Sequence, residues 1–281
     1  MPFTFFVELP REIRSLVLSN CDYHSLWQYS KTSKAVRSEL MNNGWFWELK
    51  TRKDFGELWE ISVPDKYIGI EYRSREWIHT YCHYLELAGK ELVESAERGD
   101  LKRVKRLLEA GANPNLQDAE GNTALINASI RDRVEIVLEL LQFRANSNDQ
   151  GEFGSTALMW ASFKGYVVIV KTLLDAGSDP NIGDHADQVA LIDASMEGHL
   201  EVVRCLLQSE ADPNPRDDEN KTALMWACEE GHFKVAMELL WAGADPDPKY
   251  DIRQKVISLS YFDSDIDMDD VVEFFDGDGY L

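Results

Sequence analysis

Three residue types that bind zinc are grouped closely in one part of the sequence, as His79, Cys82 and His83. On a helix, spacings of three and four residues put side chains on one face, so the group could supply three ligands. Structural zinc sites use four ligands, and no fourth lies nearby in the sequence. We therefore expect no metal at this position.

An acidic run near the carboxyl end, residues 263–270, has some of the spacing of a calcium loop. Counted from Asp265, carboxylates fall at positions 1, 3, 5 and 12 of such a loop, the last being Asp276. Asp270 occupies the position where glycine must make the turn. The run is better interpreted as a solvated acidic surface, and we expect no cofactor.

Basic residues are clustered at 102–106, but glutamates flank them at Glu91, Glu94, Glu97 and Glu109. At helical spacing this arrangement is typical of a surface with many ion pairs. It does not indicate nucleic-acid binding. No glycine-rich phosphate loop, nucleophile elbow or pair of acids is found in the sequence, so an enzyme is the least favoured class.

The composition is that of a folded acidic protein. The 281 residues are 44% hydrophobic and 11% aromatic, which is enough to bury a core. Lys and Arg number 29 against 50 Asp and Glu, for a net charge of −21. Such a chain is repelled by phosphate, so we expect neither nucleic acid nor an anionic membrane as partner.

Features that would direct the chain into or across a membrane are missing from the sequence. No stretch approaches the roughly 18 apolar residues that a span needs. The short apolar run at the amino terminus has no preceding basic residue, unlike a secretory signal. The four cysteines are scattered and form no CxxC pair. We expect reduced thiols in a cytoplasmic or nuclear protein.

The charge is unevenly distributed along the chain. Residues 1–88 hold 11 Lys and Arg against 12 Asp and Glu, a net of −1. Residues 89–281 hold 18 against 38, a net of −20. A protein target with a basic patch would be favoured on this second part.

A period of 33 residues runs through this acidic part. A Thr/Val-Ala-Leu triplet recurs at 123–125, 156–158, 189–191 and 222–224, and leucine pairs and Asn-Pro-Asn-like turns follow in the same phase. Each unit is predicted to be a short inner helix, a tight turn, a longer outer helix and a loop. So small a unit cannot bury its apolar face alone, but stacked units can.

These residues resemble the ankyrin repeat, over about residues 88 to 250. The resemblance implies an all-α solenoid of five repeats, followed by a degenerate, acidic capping repeat. The family's usual His after the Thr-Pro-Leu triplet is replaced by Ile126, Met159, Ile192 and Met225. The hydrogen-bond relay between repeats thus lacks its usual side chain.

Ankyrin arrays bind proteins through the concave face of their inner helices and through their loop tips, so the resemblance implies a protein target there. Helical spacing predicts that Leu158 and Ala161 face the core, while Trp160, Phe163 and Lys164 share another face. For the tryptophans, packing between repeats is the alternative to binding. The predicted target-binding residues are Arg131, Phe153, Trp160, Phe163, Lys164, Met196, Glu197, Trp226, Glu229 and Glu230.

The amino-terminal 55 residues do not share the period. Three short helices are predicted there, with motifs at Leu9-Pro10-x-Glu12-Ile13, Ser33-Lys34-x-x-Arg37 and Arg52-Lys53-Asp54-Phe55. Their order resembles an F-box, which binds a Skp-type adaptor and joins a cullin RING ubiquitin ligase. The alternative is an unrelated helical cap on the array. By this resemblance the adaptor contacts are Leu9, Pro10, Ile13, Val17 and Leu18.

The predicted organisation is therefore an F-box-like domain at 1–55, a helical linker at 56–88, ankyrin repeats at 89–250 and the capping repeat at 251–281. This order is similar to F-box/ankyrin proteins of large DNA viruses of amoebae, which would place the protein in a host cell. The function implied is a non-enzymatic substrate receptor of a ubiquitin ligase. The alternative is an ankyrin scaffold or inhibitor with no ubiquitin-ligase link.

Overall fold

The structure of the protein, a computed structural model, describes residues 74–246, 254–256 and 258, with side chains from residue 86 onward. The F-box-like domain and its five predicted adaptor contacts lie outside the described residues, as does most of the capping repeat. The described part contains ten α-helices and no β-strand, and Gln117 and Thr123 form an isolated antiparallel bridge. The helices are α1 Ser74–Arg98, α2 Leu101–Glu109, α3 Ala124–Ile130, α4 Val134–Gln142, α5 Ala157–Phe163, α6 Val167–Asp175, α7 Ala190–Met196, α8 Leu200–Gln208, α9 Ala223–Glu229 and α10 Phe233–Trp241.

The described residues fall into two compact units that divide between Leu116 and Gln117. The first unit contains α1 and α2, which pack against each other. Helix α1 runs without a break across residue 88, the predicted end of the linker. In this unit Arg103 pairs with Glu91 at 2.6 Å, so the basic cluster is joined to a neighbouring glutamate as expected.

The second unit is a solenoid of four helix pairs. The inner helices α3, α5, α7 and α9 pack in that order, and the outer helices α4, α6, α8 and α10 form a second row. The leucine of each triplet is no more than 1% exposed, as predicted for Leu158; the four are Leu125, Leu158, Leu191 and Leu224. None of the helices within residues 74–246 is both long and apolar enough to cross a membrane.

The threonine of the triplet begins three of the four inner helices of the second unit. The hydroxyl oxygens of Thr123, Thr156 and Thr222 accept hydrogen bonds at 3.3 Å from backbone N–H groups three residues later. A side-chain acceptor at this position satisfies one of the free N–H groups of the first turn. Val189 has no hydroxyl, so α7 begins without such a bond.

The asparagine at the third position of three of the Asn-Pro-Asn-like turns joins its repeat to the next one. The Oδ1 atoms of Asn148, Asn181 and Asn214 accept hydrogen bonds at 2.7–2.9 Å from backbone N–H groups 31 residues later. One such bond therefore links each consecutive pair of turns from residue 148 to residue 245. This linkage explains why asparagine recurs with the period.

Histidines at the start of α8 and α10 make a second kind of link. Nε2 of His199 lies 3.1 Å from the carbonyl oxygen of Phe163, and Nε2 of His232 lies 3.0 Å from that of Met196. The family's usual His is indeed absent from the inner helices, but inter-repeat bonds are made by histidines at another position of the repeat. These two interfaces therefore have inter-repeat contacts that do not depend on the family's usual His.

Candidate protein-binding face

The inner helices of the second unit expose one side. We call it the inner-helix face. It comprises the loops that precede α3, α5, α7 and α9 and the following residues of these helices and their ends: Asn127, Ile130, Arg131, Trp160, Phe163, Lys164, Asp193, Met196, Glu197, Trp226, Glu229 and Glu230. Leu158 and Ala161 are at most 1% exposed, whereas Trp160 and Phe163 are half-buried. The two predicted faces of α5 are therefore confirmed.

The third and fourth repeats form a cavity of about 270 Å³ on this face. Trp160 and Phe163 meet there edge to face, with ring centroids 6.4 Å apart. Aromatic pairs prefer this geometry. Four of the predicted target-binding residues line the cavity, and the complete lining is Phe153, Ser155, Met159, Trp160, Phe163, Asp184, Gln188, Asp193 and Met196.

Phe153 is held in an unusual conformation at the rim. Its φ is +60°, a left-handed value that is uncommon for a bulky residue and costs on the order of 1 kcal/mol. The side chain is nevertheless 63% exposed. The carbonyl oxygen of Phe153 accepts a hydrogen bond from the N–H of His185 at 3.0 Å, which ties this loop to the next one. Strained backbone that presents an exposed aromatic ring indicates a contact site.

Asp193 is a carboxyl group inside this cavity. Asp193 is only 7% exposed. Burial raises the pKa of Asp193 to about 8, with smaller contributions from the charges of Asp184 and Glu197. The group is therefore mostly protonated at neutral pH in the free protein.

Trp226, the corresponding residue of the fifth repeat, has partners within the chain. Its Nε1 donates a hydrogen bond to Asp217 at 2.6 Å, and the Lys221 ammonium lies 3.8 Å from the ring centroid. That ammonium is also 2.9 Å from Glu229. These partners belong to the same repeat as Trp226, which is half-buried on the inner-helix face. Trp160 differs, because its buried Nε1 has no hydrogen-bond partner.

The other predicted residues do not line the cavity. Arg131 and Glu230 are exposed at the ends of α3 and α9. Lys164 is exposed at the end of α5, with its ammonium 5.1 Å from the Phe163 ring centroid. Glu197 is exposed at the end of α7. Each inner helix of the second unit therefore ends at an exposed, charged residue.

Asp184 and Met159 line the cavity but are not among the residues predicted from the sequence. Met159 lies in the position of the family's usual histidine, for which the expected role is a link between repeats. Asp184 could have been identified from the sequence, because aspartate recurs at this loop position in three of the four repeats, as Asp118, Asp184 and Asp217. The third repeat has Gly151 there instead. The cavity lies next to this exception.

The described side chains hold two cysteines, Cys205 and Cys228, and both are buried and unpaired. Burial raises the pKa of the Cys228 thiol to about 12 and also raises that of Cys205. A protonated, buried thiol is a poor nucleophile. Among the described side chains no group of three or more His, Cys, Asp or Glu could hold a metal. The side chains of His79, Cys82 and His83 lie outside that part.

A model of the family described as ankyrin repeats (3 copies) matches residues 92–184 and 182–250, which together make up more than half of the chain. No curated protein matches the sequence. Ankyrin-repeat proteins are typically non-enzymatic scaffolds that bind other proteins. With its 33-residue period, its paired helices and this match, the chain belongs to the ankyrin-repeat family.

Proposed function

We propose that the protein is a non-enzymatic adaptor that holds a target protein on its inner-helix face. We further propose that residues 1–55 bind a Skp-type adaptor, so that the target is brought to a cullin RING ubiquitin ligase. The first part is supported by the geometry of the third and fourth repeats. The second part is supported by the sequence motifs of residues 1–55.

The observation that carries the first part is the group of apolar side chains around the cavity. Phe153, Trp160, Phe163 and Met196 converge there and are at least partly exposed to solvent. Aromatic residues and methionine are enriched at the centre of protein interfaces. A few such residues in a pocket usually supply most of the binding free energy.

Replacing Phe153 by Ala should weaken target binding at least tenfold, because the change removes the most exposed ring of the cavity. Trp241→Ala is the matched control, since Trp241 is also 63% exposed but lies at the end of an outer helix. The full chain and both variants are used to capture proteins from a lysate, and the captured proteins are compared by quantitative mass spectrometry. Targets that are retained by Phe153→Ala and lost with Trp241→Ala would contradict the proposed face.

The second part concerns a region of almost neutral net charge. Because residues 1–88 carry a net charge of only −1, adaptor binding there would depend on apolar contacts. Ile13 lies at the centre of the F-box-like motif. A charge at such a position would have to be desolvated in the complex, which is costly.

Ile13→Asp should therefore abolish co-precipitation of a Skp-type adaptor and a cullin while target capture is unchanged. The comparison uses the full chain, with Ile13→Val as the conservative control. If wild type and Ile13→Asp retain the adaptor equally, or neither retains it, the ubiquitin-ligase part is rejected. The protein would then be an ankyrin scaffold or inhibitor with no such link.

A further inference from the structure

The four repeats of the second unit can be compared at two positions that lie close together. One is in the loop before the inner helix, and the other is nine residues later on that helix. In the second repeat, Nδ2 of Asn127 donates to Oδ2 of Asp118 at 3.0 Å. In the fifth, Nε1 of Trp226 donates to Oδ2 of Asp217 at 2.6 Å. In both repeats a donor on the helix is matched by an acceptor in the loop.

The third and fourth repeats each lack one member of this pair. Trp160 is a donor, but Gly151 has no side chain to accept its hydrogen bond, and the indole N–H is buried without a partner. Asp184 is an acceptor, but the helix position holds Asp193, so a second carboxyl group stands where the other two repeats have the amide of Asn127 and the indole of Trp226. Among the described residues the carboxyl group of Asp193 has no hydrogen-bond partner. A buried polar group without a partner is costly.

These unmatched groups border the same cavity. Trp160 belongs to the third repeat and the two aspartates belong to the fourth, and all three line the space of about 270 Å³. Buried polar groups in native proteins nearly always have partners. Oδ1 of Asp184 already accepts hydrogen bonds from the backbone N–H groups of Ala186 and Gln188. A cation has no acceptor for the indole N–H of Trp160, so the features that select a cation here are the two neighbouring carboxyl groups and the aromatic walls.

The fifth repeat shows which kind of group meets that requirement. There the chain supplies its own cation, since Lys221 lies 3.8 Å from the Trp226 ring centroid and forms an ion pair with Glu229. The residue equivalent to Lys221 is Ser155 in the third repeat and Gln188 in the fourth. Neither carries a charge, so the corresponding space beside Trp160 has no cation from this position.

We propose that the cavity lined by Trp160, Asp184 and Asp193 receives one basic side chain, of lysine or arginine, from the bound protein. The inference rests on the proposed function and names the chemistry that the target must present. The cation would lie against the Trp160 ring and pair with the carboxylate of Asp184, and its charge would favour the ionised form of Asp193 in the complex. Lys221 lies in the same way against Trp226 and pairs with Glu229 in the fifth repeat. Cations bind the faces of aromatic rings, tryptophan most strongly.

Charge and lining exclude the other classes of ligand. An anion would meet two carboxyl groups in a region that carries a net charge of −20 over residues 89–281. A divalent metal would find too few oxygen ligands, because calcium takes six to eight and the rest of the lining is largely apolar. A basic side chain has an apolar stem for Phe153 and Met196 and a charged end for the aspartates.

The test uses small analogues of the two basic side chains as probes: n-butylammonium for lysine and n-propylguanidinium for arginine. 1-Butanol serves as the neutral analogue. Each is titrated into the full-length, ¹⁵N-labelled protein while the indole N–H signal of Trp160 is followed by NMR. The signal is assigned by its loss in Trp160→Phe. We expect a saturable shift with at least one cation, and at least tenfold weaker binding of 1-butanol.

Two variants change the cavity in different ways: one adds a cation to it, and the other removes a carboxyl group. Ser155→Lys places a lysine where Lys221 stands in the fifth repeat, so it should fill the space and weaken probe binding at least tenfold. Asp184→Asn should weaken binding by a similar factor. Asp118→Asn, the same change in the second repeat, should leave it unaltered. Circular dichroism verifies that every variant is folded.

Each outcome decides for or against the inference. The cation that binds at lower concentration identifies lysine or arginine as the ligand. Equal binding of 1-butanol, no saturable shift, or full binding by Asp184→Asn would overturn it. If the probes fail but Phe153→Ala still loses the target, the inference is wrong and the proposed function stands. If the probes bind but Phe153→Ala keeps every target, the proposed function is wrong instead.

Discussion

Replacing Asp193 by Asn should raise the free energy of unfolding by on the order of 3 kcal/mol at pH 8. In the folded protein the pKa of Asp193 is raised from 3.8 to about 8. At about 1.4 kcal/mol per tenfold change in the ionisation constant, this sets an upper limit of about 6 kcal/mol. Water that enters the cavity reduces the cost. Asparagine carries no charge and can donate to Asp184, as Asn127 donates to Asp118 at 3.0 Å.

The effect has a defined pH dependence. Below about pH 4 the carboxyl group of Asp193 is protonated in both the folded and the unfolded state, so it costs nothing. Between about pH 4 and pH 8 the unfolded chain releases the proton and the folded protein keeps it. The free energy of unfolding therefore falls as the pH rises through this window. The gain from Asp193→Asn should be about 2–4 kcal/mol larger at pH 8 than at pH 5.

Urea unfolding followed by circular dichroism at pH 5 and pH 8 measures this difference. Comparison with wild type at each pH cancels the contribution of most other titrating groups. Asn127→Asp is the matched reverse change, because it places a carboxyl group beside Asp118 in the second repeat, and it should destabilise the protein more at pH 8 than at pH 5. A gain from Asp193→Asn that is the same at both pH values would show that the carboxyl group ionises freely in the folded protein.

Replacing Gly198 by Ala should lower the free energy of unfolding by about 2–4 kcal/mol. Gly198 has a φ of +74°, and an alanine in that conformation costs on the order of 1 kcal/mol. The added Cβ would also lie 2.5 Å from Nδ1 of His232. The ring cannot move away without breaking its contact of 3.0 Å with the carbonyl oxygen of Met196. The clash therefore adds the loss of an inter-repeat bond to the backbone strain.

Gly177→Ala is the control for backbone strain alone. Gly177 has a φ of +88°, but nothing lies within 4 Å of the position of an added Cβ. Its replacement should cost only about 1 kcal/mol. Adding His232→Ala to Gly198→Ala should relieve the clash, so the two changes should cost less than the sum of their separate effects. Urea unfolding of the four variants tests both points, and equal losses in Gly177→Ala and Gly198→Ala would exclude a role for the His232 ring.

The helices and the core of the repeats could be predicted from the sequence because both depend on local spacing. The triplet threonine caps a helix within three residues, and the leucine two residues after it lies one helical turn before a buried alanine. Repetition of the same spacing over five periods left little ambiguity. The long first helix could be predicted only in part. A glycine often ends a helix, and the predicted linker ends at residue 88, directly before Gly89. The helix instead continues through Gly89 to Arg98.

The inter-repeat bonds and the cavity could not be predicted in the same way. His199 and His232 reach carbonyl groups 36 residues earlier in the chain, so their role depends on how two repeats are stacked. The cavity depends on two adjacent exceptions, Gly151 in one repeat and Asp193 in the next. Either exception alone is an ordinary substitution. Only the packing of α5 against α7 brings them to the same space.

The asparagine links between turns have a consequence for how this protein could change its length. Each link joins the Oδ1 atom of one turn to the first backbone N–H of the next turn, and the bond does not depend on which repeat follows. A duplication or a deletion of one whole 33-residue period would leave every remaining asparagine facing an equivalent N–H. Gene rearrangements that respect the period could therefore add or remove binding surface one repeat at a time, without creating a new kind of junction.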